Sequence, residues 1–375
     1  MINIFLAILA IFTIYYIYFI TRVRIGLSLL HPSKRLINYP KVSVVIAARN
    51  EEKSIGLSLD SILQQTYPSD KYEIIVVNDH STDRTNSIVQ SYSYKSNQVR
   101  LITLSDGDKQ TSGNKLLALT KGIEQASGEI ILTTDADCTV KSRWIELMVA
   151  HFENDIVFVA GPVIEKNPES FFSKIEQLEF LGLITTAAGL IGSRRPIICN
   201  GANLAYKKST FLTIAEYFKD VSSNDDETLM NKVSYRKLGE ITFAIDSDTL
   251  VTTHSSNTVF SFLVQRMRWA NKRGHYEDKS ILITLVSLYF FFFSLFSLVV
   301  FIPFESKLIL PLSITLLGKI IVDFFTLRTG ARMLQQHISL PHFLIAELLH
   351  VPYIVITAAL GQIASIYWKG RRIQK

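Results

Sequence analysis

Two long apolar runs, one near each end of the chain, constrain its fold more than any other feature. Residues 2–20 hold no charged residue across 19 positions, and residues 281–302 hold none across 22. About 20 apolar residues in an α-helix span the hydrocarbon core of a bilayer. We therefore expect an N-terminal transmembrane helix over residues 1–22 and a C-terminal membrane region over residues 281–367, with two or three transmembrane helices.

The C-terminal membrane region also contains weaker apolar stretches, at 308–327 and 343–367. The first of these holds Lys319 and Asp323, which are four positions apart and therefore share one face of a helix. Such a pair inside a membrane is either a structural pair whose charges neutralise each other or part of a substrate path. Both interpretations remain open from the sequence.

The basic residues predict how the chain is oriented in the membrane. The N-terminal run has no basic residues before it, unlike a signal peptide, and the sequence TRVR follows it. Since basic loops stay in the cytoplasm, we expect residues 40–275 to be cytoplasmic and the protein to reside in a bacterial-type inner membrane. Three C-terminal spans would place the basic tail WKGRRIQK outside, against the same rule.

The excess of positive charge indicates lipid head groups as a partner. The net charge is +6, and the basic clusters QRMRWANKR and WKGRRIQK lie beside or after apolar segments. Basic residues at such places suit anionic head groups, so we expect a membrane partner and no nucleic acid. The two cysteines, Cys138 and Cys199, lack metal-ligand spacing, and we expect them to be reduced.

Between the apolar runs, strand patterns alternate with helical ones. The runs VSVVIAA, YEIIVVN, VRLITL and EIILTT have the length and β-branched content of buried strands, and helical spacing separates them. This pattern predicts an α/β domain over residues 40–275 with a Rossmann-like, mostly parallel sheet. Ligands bind at the carboxyl ends of strands in such sheets. Asp79 follows the second strand and Asp135 follows the fourth.

Carboxylates at these strand ends are candidate ligand-binding groups. Asp135 and Asp137 come directly after the fourth strand, and paired carboxylates suit Mg²⁺ or Mn²⁺ held together with substrate phosphates. The alternative is a solvated turn or a helix cap, where aspartate is common. Asp79 could likewise be a simple N-cap.

A second acidic cluster, Asn224-Asp225-Asp226-Glu227, opens a predicted helix. One of its carboxylates could act as a general base that accepts a proton from an acceptor hydroxyl. The alternative is a capping box, in which Asn224 and Glu227 satisfy the first turn of the helix.

The sequence QRMRW lies just before the apolar run 281–302. Its basic and aromatic residues could anchor an interfacial helix. In a functional interpretation, Arg268 neutralises a diphosphate and Trp269 offers a stacking face to a sugar or an acceptor.

Taken in order, the segments VSVVIAARNEE, VVNDHSTDRT, TTDADC, NDDE and QRMRW resemble the motifs of family 2 glycosyltransferases. The branch that they resemble is membrane-integrated and contains ceramide glucosyltransferase-like enzymes and cellulose, chitin and hyaluronan synthases. The resemblance covers roughly residues 40–275 and implies a GT-A fold that binds a nucleotide sugar, usually a UDP-sugar. One departure is NDHS in place of the commoner DDxS, so that Asn78 replaces an acid while Asp79 is kept.

The resemblance also implies a role for each matching residue. Asp226 corresponds to the catalytic base, and Asp137 and Asp135 correspond to the metal ligands, with Mg²⁺ or Mn²⁺ as the cofactor. The segment NGANLAY resembles one that lines the donor-sugar and acceptor pocket. The residues implied to bind the nucleotide sugar are Asp79, Lys115, Asp135, Gln265, Arg268 and Trp269.

We therefore expect an inverting glycosyltransferase that moves a sugar to a membrane lipid or a lipid-linked acceptor at the cytoplasmic face, in the biosynthesis of a cell-envelope glycan or glycolipid. A processive polysaccharide synthase is the alternative, although a secretion channel needs several spanning helices. A second alternative is a non-catalytic binding module, against which the intact carboxylates argue. The first strand is not followed by G-x-G-x-x-G, which argues against a dinucleotide-binding dehydrogenase.

Overall fold

The chain folds into a sheet-centred domain joined to long apolar helices. The computed structural model describes residues 2–105, 115–166, 170–215, 225–256, 258–270, 276–363, 367–368 and 371–372. The helices in these residues are α1 (Ile2–Leu27), α2 (Ile55–Leu63), α3 (Thr85–Lys95), α4 (Lys115–Glu124), α5 (Trp144–Val149), α6 (Phe171–Gly192), α7 (Lys208–Ala215), α8 (Asp225–Tyr235), α9 (Val259–Ala270), α10 (Lys279–Phe301), α11 (Ile309–Met333) and α12 (Leu340–Ile363). The strands are β1 (Val42–Ala48), β2 (Tyr72–Asn78), β3 (Val99–Thr103), β4 (Ile130–Thr133), β5 (Thr139–Val140), β6 (Ile156–Ala160), β7 (Val163–Glu165), β8 (Leu204–Lys207), β9 (Glu240–Phe243), β10 (Val251–Thr253), β11 (Tyr367–Trp368) and β12 (Arg371–Arg372).

The main sheet has seven strands in the order β3-β2-β1-β4-β8-β6-β9. The four strands predicted from their apolar runs, β1 to β4, pair in parallel with one another. Their side chains are buried on both faces, as in Ile46, Ile75 and Ile131, because helices cover both sides of the sheet. The mostly parallel sheet is confirmed, and the departure is β8, which runs antiparallel to both β4 and β6.

A smaller sheet of three strands, in the order β5-β10-β7, connects the loop after β4 to the segment that leads into α9. β5 directly follows the Asp135–Cys138 turn and pairs with β10, where Thr139 lies opposite Thr252. The acidic turn is therefore held between two paired strands, β4 before it and β5 after it.

Five helices in the described part of the chain are long and apolar enough to cross a membrane. Four of them, α1, α10, α11 and α12, correspond to the apolar runs noted in the sequence. The fifth is α6, whose most apolar window is 61% buried inside the protein. Because α6 packs against the domain as well as the apolar helices, its apolar character is explained by contacts on all sides.

The N-terminal helix α1 crosses α6 with the two backbones in contact. A Cβ atom on Gly26 would lie 1.8 Å from the carbonyl oxygen of Gly189, and one on Gly192 would lie 2.1 Å from the carbonyl oxygen of Gly26. Helices approach this closely only where small residues face each other. The apolar helix is therefore attached directly to a helix of the domain.

A buried group of polar side chains joins three of the apolar helices. Lys319 on α11 has a fully buried side chain and forms ion pairs with Asp323, at 2.8 Å, and with Glu347 of α12. The hydroxyl of Tyr16 on α1 donates to Asp323 at 2.7 Å. The expected pair of Lys319 and Asp323 is thus formed, and a second carboxylate, that of Glu347, shares the same ammonium.

Both ends of α12 lie against helices of the domain. Near its start, Phe343 belongs to the core of the domain and His342 contacts the ring of Phe171 on α6 at 5.1 Å. Near its end, Nε2 of Gln362 donates to the carbonyl oxygen of Ala270, the last residue of α9, at 2.6 Å. The helix therefore returns to the domain after it has contacted the other apolar helices.

Candidate active site

The residues predicted at strand ends lie along one edge of the main sheet. Asp79 directly follows β2, and Asp135 lies two residues after the end of β4. β1 pairs in parallel with both strands, so these aspartates flank the carboxyl end of β1. The edge predicted to bind a ligand is therefore the edge where the carboxylates meet.

Asp79 is held firmly and is not a helix cap. Its side chain is buried, accepts a hydrogen bond from Nδ1 of His80 at 2.9 Å and lies 3.8 Å from the guanidinium of Arg49. Its backbone N–H donates to Ala48 at the end of β1. The N-cap of α3 is Arg84, five residues further on. Asp79 is thus fixed to the sheet edge, where it can accept hydrogen bonds from a ligand.

Asn78, the departure from the commoner acidic pattern, has a local role. Its Oδ1 accepts a hydrogen bond from the backbone of Ser81 at 3.2 Å, and its Nδ2 donates to Oδ1 of Asn86 on α3 at 3.2 Å. An aspartate could not make the second bond, because an ionised carboxylate only accepts. The amide therefore holds the turn that presents Asp79.

Lys115 and the paired aspartates form an accessible charged cluster. Nζ of Lys115, the first residue of α4, lies 2.6 Å from Oδ1 of Asp135. Ligand atoms of Asp135, Asp137 and Cys138 lie within 4.8 Å of one another. About a third of each side chain of the Lys115–Asp135 pair is exposed. A charged ligand can therefore reach the cluster from solvent.

The donor set of this cluster fits a hard divalent cation. Burial, together with the charges of Asp135 and Asp137, raises the pKa of the Cys138 thiol well above its usual value. The neutral thiol contacts Oδ1 of Asp137 at 3.5 Å. The two carboxylates offer the oxygen ligands that suit Mg²⁺ or Mn²⁺ better than soft metals.

Asp226 is tied to the same sheet edge by two hydrogen bonds in series. Its Oδ2 accepts from the backbone N–H of Gly201 at 2.7 Å, and the carbonyl oxygen of Gly201 accepts from Oγ1 of Thr133, the last residue of β4, at 3.3 Å. Its Oδ1 accepts from the backbone of Glu227 at 2.9 Å. Each carboxylate oxygen keeps a second lone pair, so the group can still accept a proton.

The helix that carries Asp226 is fixed by its apolar face. Leu229, Met230 and Val233 of α8 are buried in the core of the domain. Asn224 lies outside the described residues, as does the side chain of Asp225, so the predicted capping box stays a prediction. The anchored helix leaves Asp226 half-buried at its first turn.

The three predicted residues of QRMRW lie on α9, and two of them, Gln265 and Trp269, form part of a second cluster. Oε1 of Gln265 accepts a 2.6 Å hydrogen bond from Arg266, and the guanidinium of Arg266 lies 4.2 Å from the ring centre of Trp269. Trp269 also packs against the domain core, 6.2 Å from the ring of Phe180 on α6. Arg268 is partly buried on the same helix.

The described contacts thus bring the predicted residues together in two groups. The first group is the sheet edge, with Asp79, Lys115, Asp135, Asp137 and Asp226. The second is the α9 cluster. Sequence reasoning missed Arg266, which bonds to Glu179 of α6, because the resemblance names only the flanking positions of QxxRW.

Part of the chain is similar to known glycosyltransferases. The family model described as glycosyl transferase family 2 matches residues 43–213. A poly-β-1,6-N-acetyl-D-glucosamine synthase from Staphylococcus epidermidis is 28% identical over 240 residues, which cover 62% of this chain and 54% of that protein. A β-monoglucosyldiacylglycerol synthase from Synechocystis is 32% identical over 124 residues, which cover 33% of this chain and 25% of that protein. The chain thus spans about half or less of the length of these relatives.

Comparison with solved structures extends the similarity of fold to nearly the whole chain. A mannosyltransferase from Pyrobaculum calidifontis, solved in complex with GDP-mannose and Mn²⁺, superposes with a TM-score of 0.56 and 20% identity. The alignment covers 96% of this chain and 99% of the mannosyltransferase chain. Residues 43–213 thus match the model of glycosyl transferase family 2, and the structure joins a GT-A-like domain to helices long and apolar enough to cross a membrane.

Proposed function

We propose that the protein is an inverting glycosyltransferase that moves a sugar from a nucleotide-sugar donor, of the UDP-sugar class, to a membrane lipid or lipid-linked acceptor. The observation that carries the proposal is the connection of Asp226 to β4 through Gly201, because it puts a proton acceptor at the same edge as Asp135 and Lys115. A transferase of this kind needs one base beside one diphosphate site.

The reaction is a single displacement. The acceptor hydroxyl oxygen forms a bond to the anomeric carbon of the sugar while the bond from that carbon to the donor phosphate oxygen breaks. The electron pair leaves with the nucleoside diphosphate, and the hydroxyl proton passes to the carboxylate of Asp226. Attack from the face opposite the leaving group inverts the anomeric carbon.

The cluster around Asp135 would receive the diphosphate. A divalent cation bound there would neutralise the charge that develops on the leaving group. Asp135 and Asp137 would hold it, because their carboxylate oxygens lie within 4.8 Å of each other. The ammonium of Lys115 can also contact a phosphate, and Asp79 would accept hydrogen bonds from the base of the nucleotide.

The packing of the apolar helices supports a lipid acceptor over an extruded polysaccharide. The ring of Tyr16 stacks on Phe291 at 4.2 Å, and Phe291 and Leu295 are completely buried between the helices. The ion-paired side chain of Lys319 fills the space beside them. Packed side chains thus occupy the middle of the helix bundle, whereas a secretion channel would need an open path there.

We further propose that the domain faces the cytoplasm and that the chain ends on the same side. The orientation rests on the TRVR cluster after the first apolar run. Since both ends of α12 contact the domain, α12 does not have to carry the chain across the membrane. This arrangement keeps the basic tail WKGRRIQK with the other basic residues, and it removes the conflict expected for three full spans.

A donor screen tests the proposed function. The full-length protein in lipid nanodiscs is supplied with membrane lipid extract and Mn²⁺, and release of nucleoside diphosphate is measured with each common UDP-sugar and with GDP-mannose. We expect acceptor-dependent release with one UDP-sugar and a labelled lipid product. Release only from GDP-mannose would overturn the donor class, and no release from any donor would overturn the function.

A further inference from the structure

We propose that Arg266 is a positioning residue that orients Gln265 and Trp269, and that Glu179 and Tyr353 hold Arg266 in place from two neighbouring helices. The inference rests on the proposed function, because it gives these residues a part in sugar transfer. It assigns a role to α12, which carries none of the motif residues.

Arg266 contacts both of the motif residues that flank it. Its guanidinium is buried and donates through one terminal nitrogen to Oε1 of Gln265 at 2.6 Å. The same group lies 4.2 Å from the ring centre of Trp269 and 4.6 Å from that of Phe262. Cation–π contacts and a charge-assisted hydrogen bond thus converge on one planar group, which fixes the rotamers of Gln265 and Trp269 together.

Glu179 of α6 fixes the guanidinium in turn. Nε of Arg266 donates to both carboxylate oxygens of Glu179 at 3.1 Å, and a terminal nitrogen donates to Oε2 at 2.5 Å. Such a fork-like pair sets the plane of the guanidinium as well as its position. A lysine at this position could not bond Gln265 and Glu179 with the same geometry.

Tyr353 extends the network to α12. Its hydroxyl donates to Oε1 of Glu179 at 3.0 Å, and its ring lies 5.4 Å from that of Phe262 on α9. α12 contacts α9 a second time at Gln362 and Ala270. The position of α12 therefore sets the position of Glu179, and through Arg266 it sets the orientation of Trp269.

The consequence is a positioning effect on the acceptor. In the functional interpretation of QRMRW, Trp269 offers a stacking face to the sugar or the acceptor. A displacement of about 1 Å in a positioning group can lower the rate roughly 100-fold. A network that only holds helices together would act differently, since its loss would lower the melting temperature before it lowered the rate.

Tyr353→Phe is the decisive variant, because it removes the hydroxyl and keeps the ring that packs on Phe262. Arg266→Lys keeps the charge and removes the planar fork. Tyr15→Phe is the matched control, since the Tyr15 hydroxyl also joins two apolar helices, through Thr284 of α10, but lies on α1. Glu179→Gln is a weaker choice, because it leaves the buried cation unpaired and can unfold the region.

The experiment uses the full-length proteins in lipid nanodiscs with the donor that the wild type turns over. It measures kcat and the acceptor KM for transfer, the affinity for UDP with Mn²⁺, and the melting temperature. We expect Tyr353→Phe to lower transfer about 5- to 10-fold and Arg266→Lys about 100-fold. The UDP affinity and the melting temperature of Tyr353→Phe should equal those of Tyr15→Phe.

Transfer by Tyr353→Phe at the level of Tyr15→Phe would overturn the inference and leave the proposed function intact. A loss of transfer that follows the melting temperature in both variants would also overturn it, since the network would then be only structural. A wild-type protein with no turnover of any donor would overturn the proposed function and this inference with it.

Discussion

The backbone N–H of Gly201 donates a 2.7 Å hydrogen bond to Oδ2 of Asp226, and the close approach depends on the missing side chain of the glycine. A Cβ atom at Gly201 would lie 2.9 Å from that oxygen. The two residues are 25 positions apart, on a loop and on the first turn of α8. This contact fixes the carboxylate relative to the strand that leads to Asp135.

Asp226→Asn should abolish most sugar transfer while it leaves nucleotide binding intact. An asparagine keeps the size of the side chain and can still accept from Gly201, but it cannot take the proton of the acceptor. Proton transfer by a positioned base contributes roughly 10²–10⁴-fold, so transfer should fall by at least about 100-fold. Initial rates and UDP affinity measure the effect, and Asp225→Asn is the neighbouring control. Near-wild-type transfer would remove Asp226 from the mechanism, and a loss that follows the melting temperature would leave it a structural role.

Gly201→Ala should lower transfer without a change in any charged residue. The added methyl group would push the carboxylate of Asp226 away from its present position. We expect kcat to fall about 10- to 100-fold, because a base must lie within hydrogen-bond reach of its proton. Gly182→Ala is the control, since a Cβ atom there meets nothing within 4 Å. Equal rates for the two alanine variants would show that the contact has no part in the reaction.

Asp137→Ala should abolish turnover, so that added Mg²⁺ or Mn²⁺ no longer raises the rate. The carboxylate oxygens of Asp137 and Asp135 lie within 4.8 Å of each other, so both can bind one cation. Binding of Mn²⁺, followed by electron paramagnetic resonance, should weaken in this variant and remain unchanged in Asp155→Ala, which alters an exposed acid. Full turnover by the wild type in excess chelator would show that the cation is not required.

Glu165→Gln should make the stability of the protein less dependent on pH. Burial, and then the nearby charge of Glu176, raise the pKa of Glu165 from 4.5 to about 8. Between these pH values the folded state keeps a proton that the unfolded state has released, so this group stabilises the protein at low pH and the stabilisation is lost as the pH rises towards 8. Melting temperatures from pH 5 to 8 should fall less steeply for Glu165→Gln than for Glu124→Gln, an exposed control. Parallel curves for the two variants would show that Glu165 titrates like an exposed acid.

Cysteine labelling in intact cells should place the domain and the loop after α10 on opposite sides of the membrane. Tyr94 in the domain is 82% exposed and Phe304 in the loop is 83% exposed, so the two positions are matched in access. In a background without Cys199, an impermeant thiol reagent should label Phe304→Cys and leave Tyr94→Cys unlabelled. A cysteine added after Lys375 should also resist the reagent, because α12 returns to the domain. Labelling of Tyr94→Cys would reverse the orientation, and labelling of the added cysteine would mean that α12 crosses.

Local patterns predicted the strands and the carboxylates that follow them, because a buried strand and the polar turn after it are adjacent in the sequence. Asp79 and Asp135 are examples, since each is read directly from the end of an apolar run. The antiparallel insertion of β8 was not predictable in this way, because residues 195–203 before it have no regular pattern. The pairing of Arg266 with Glu179 joins residues 87 positions apart, and nothing in either neighbourhood identifies the other.

The contact between Gly26 and Gly189 attaches the sheet-centred domain rigidly to the first apolar helix, α1. With two backbones pressed together, the domain can neither tilt nor slide on its first apolar helix without separating them. In the proposed topology, Asp226 then stands at a set height above the lipid surface. In the proposed function, the head group of a lipid acceptor has to reach Asp226 from the bilayer, and this rigid contact keeps the distance that it has to cover constant.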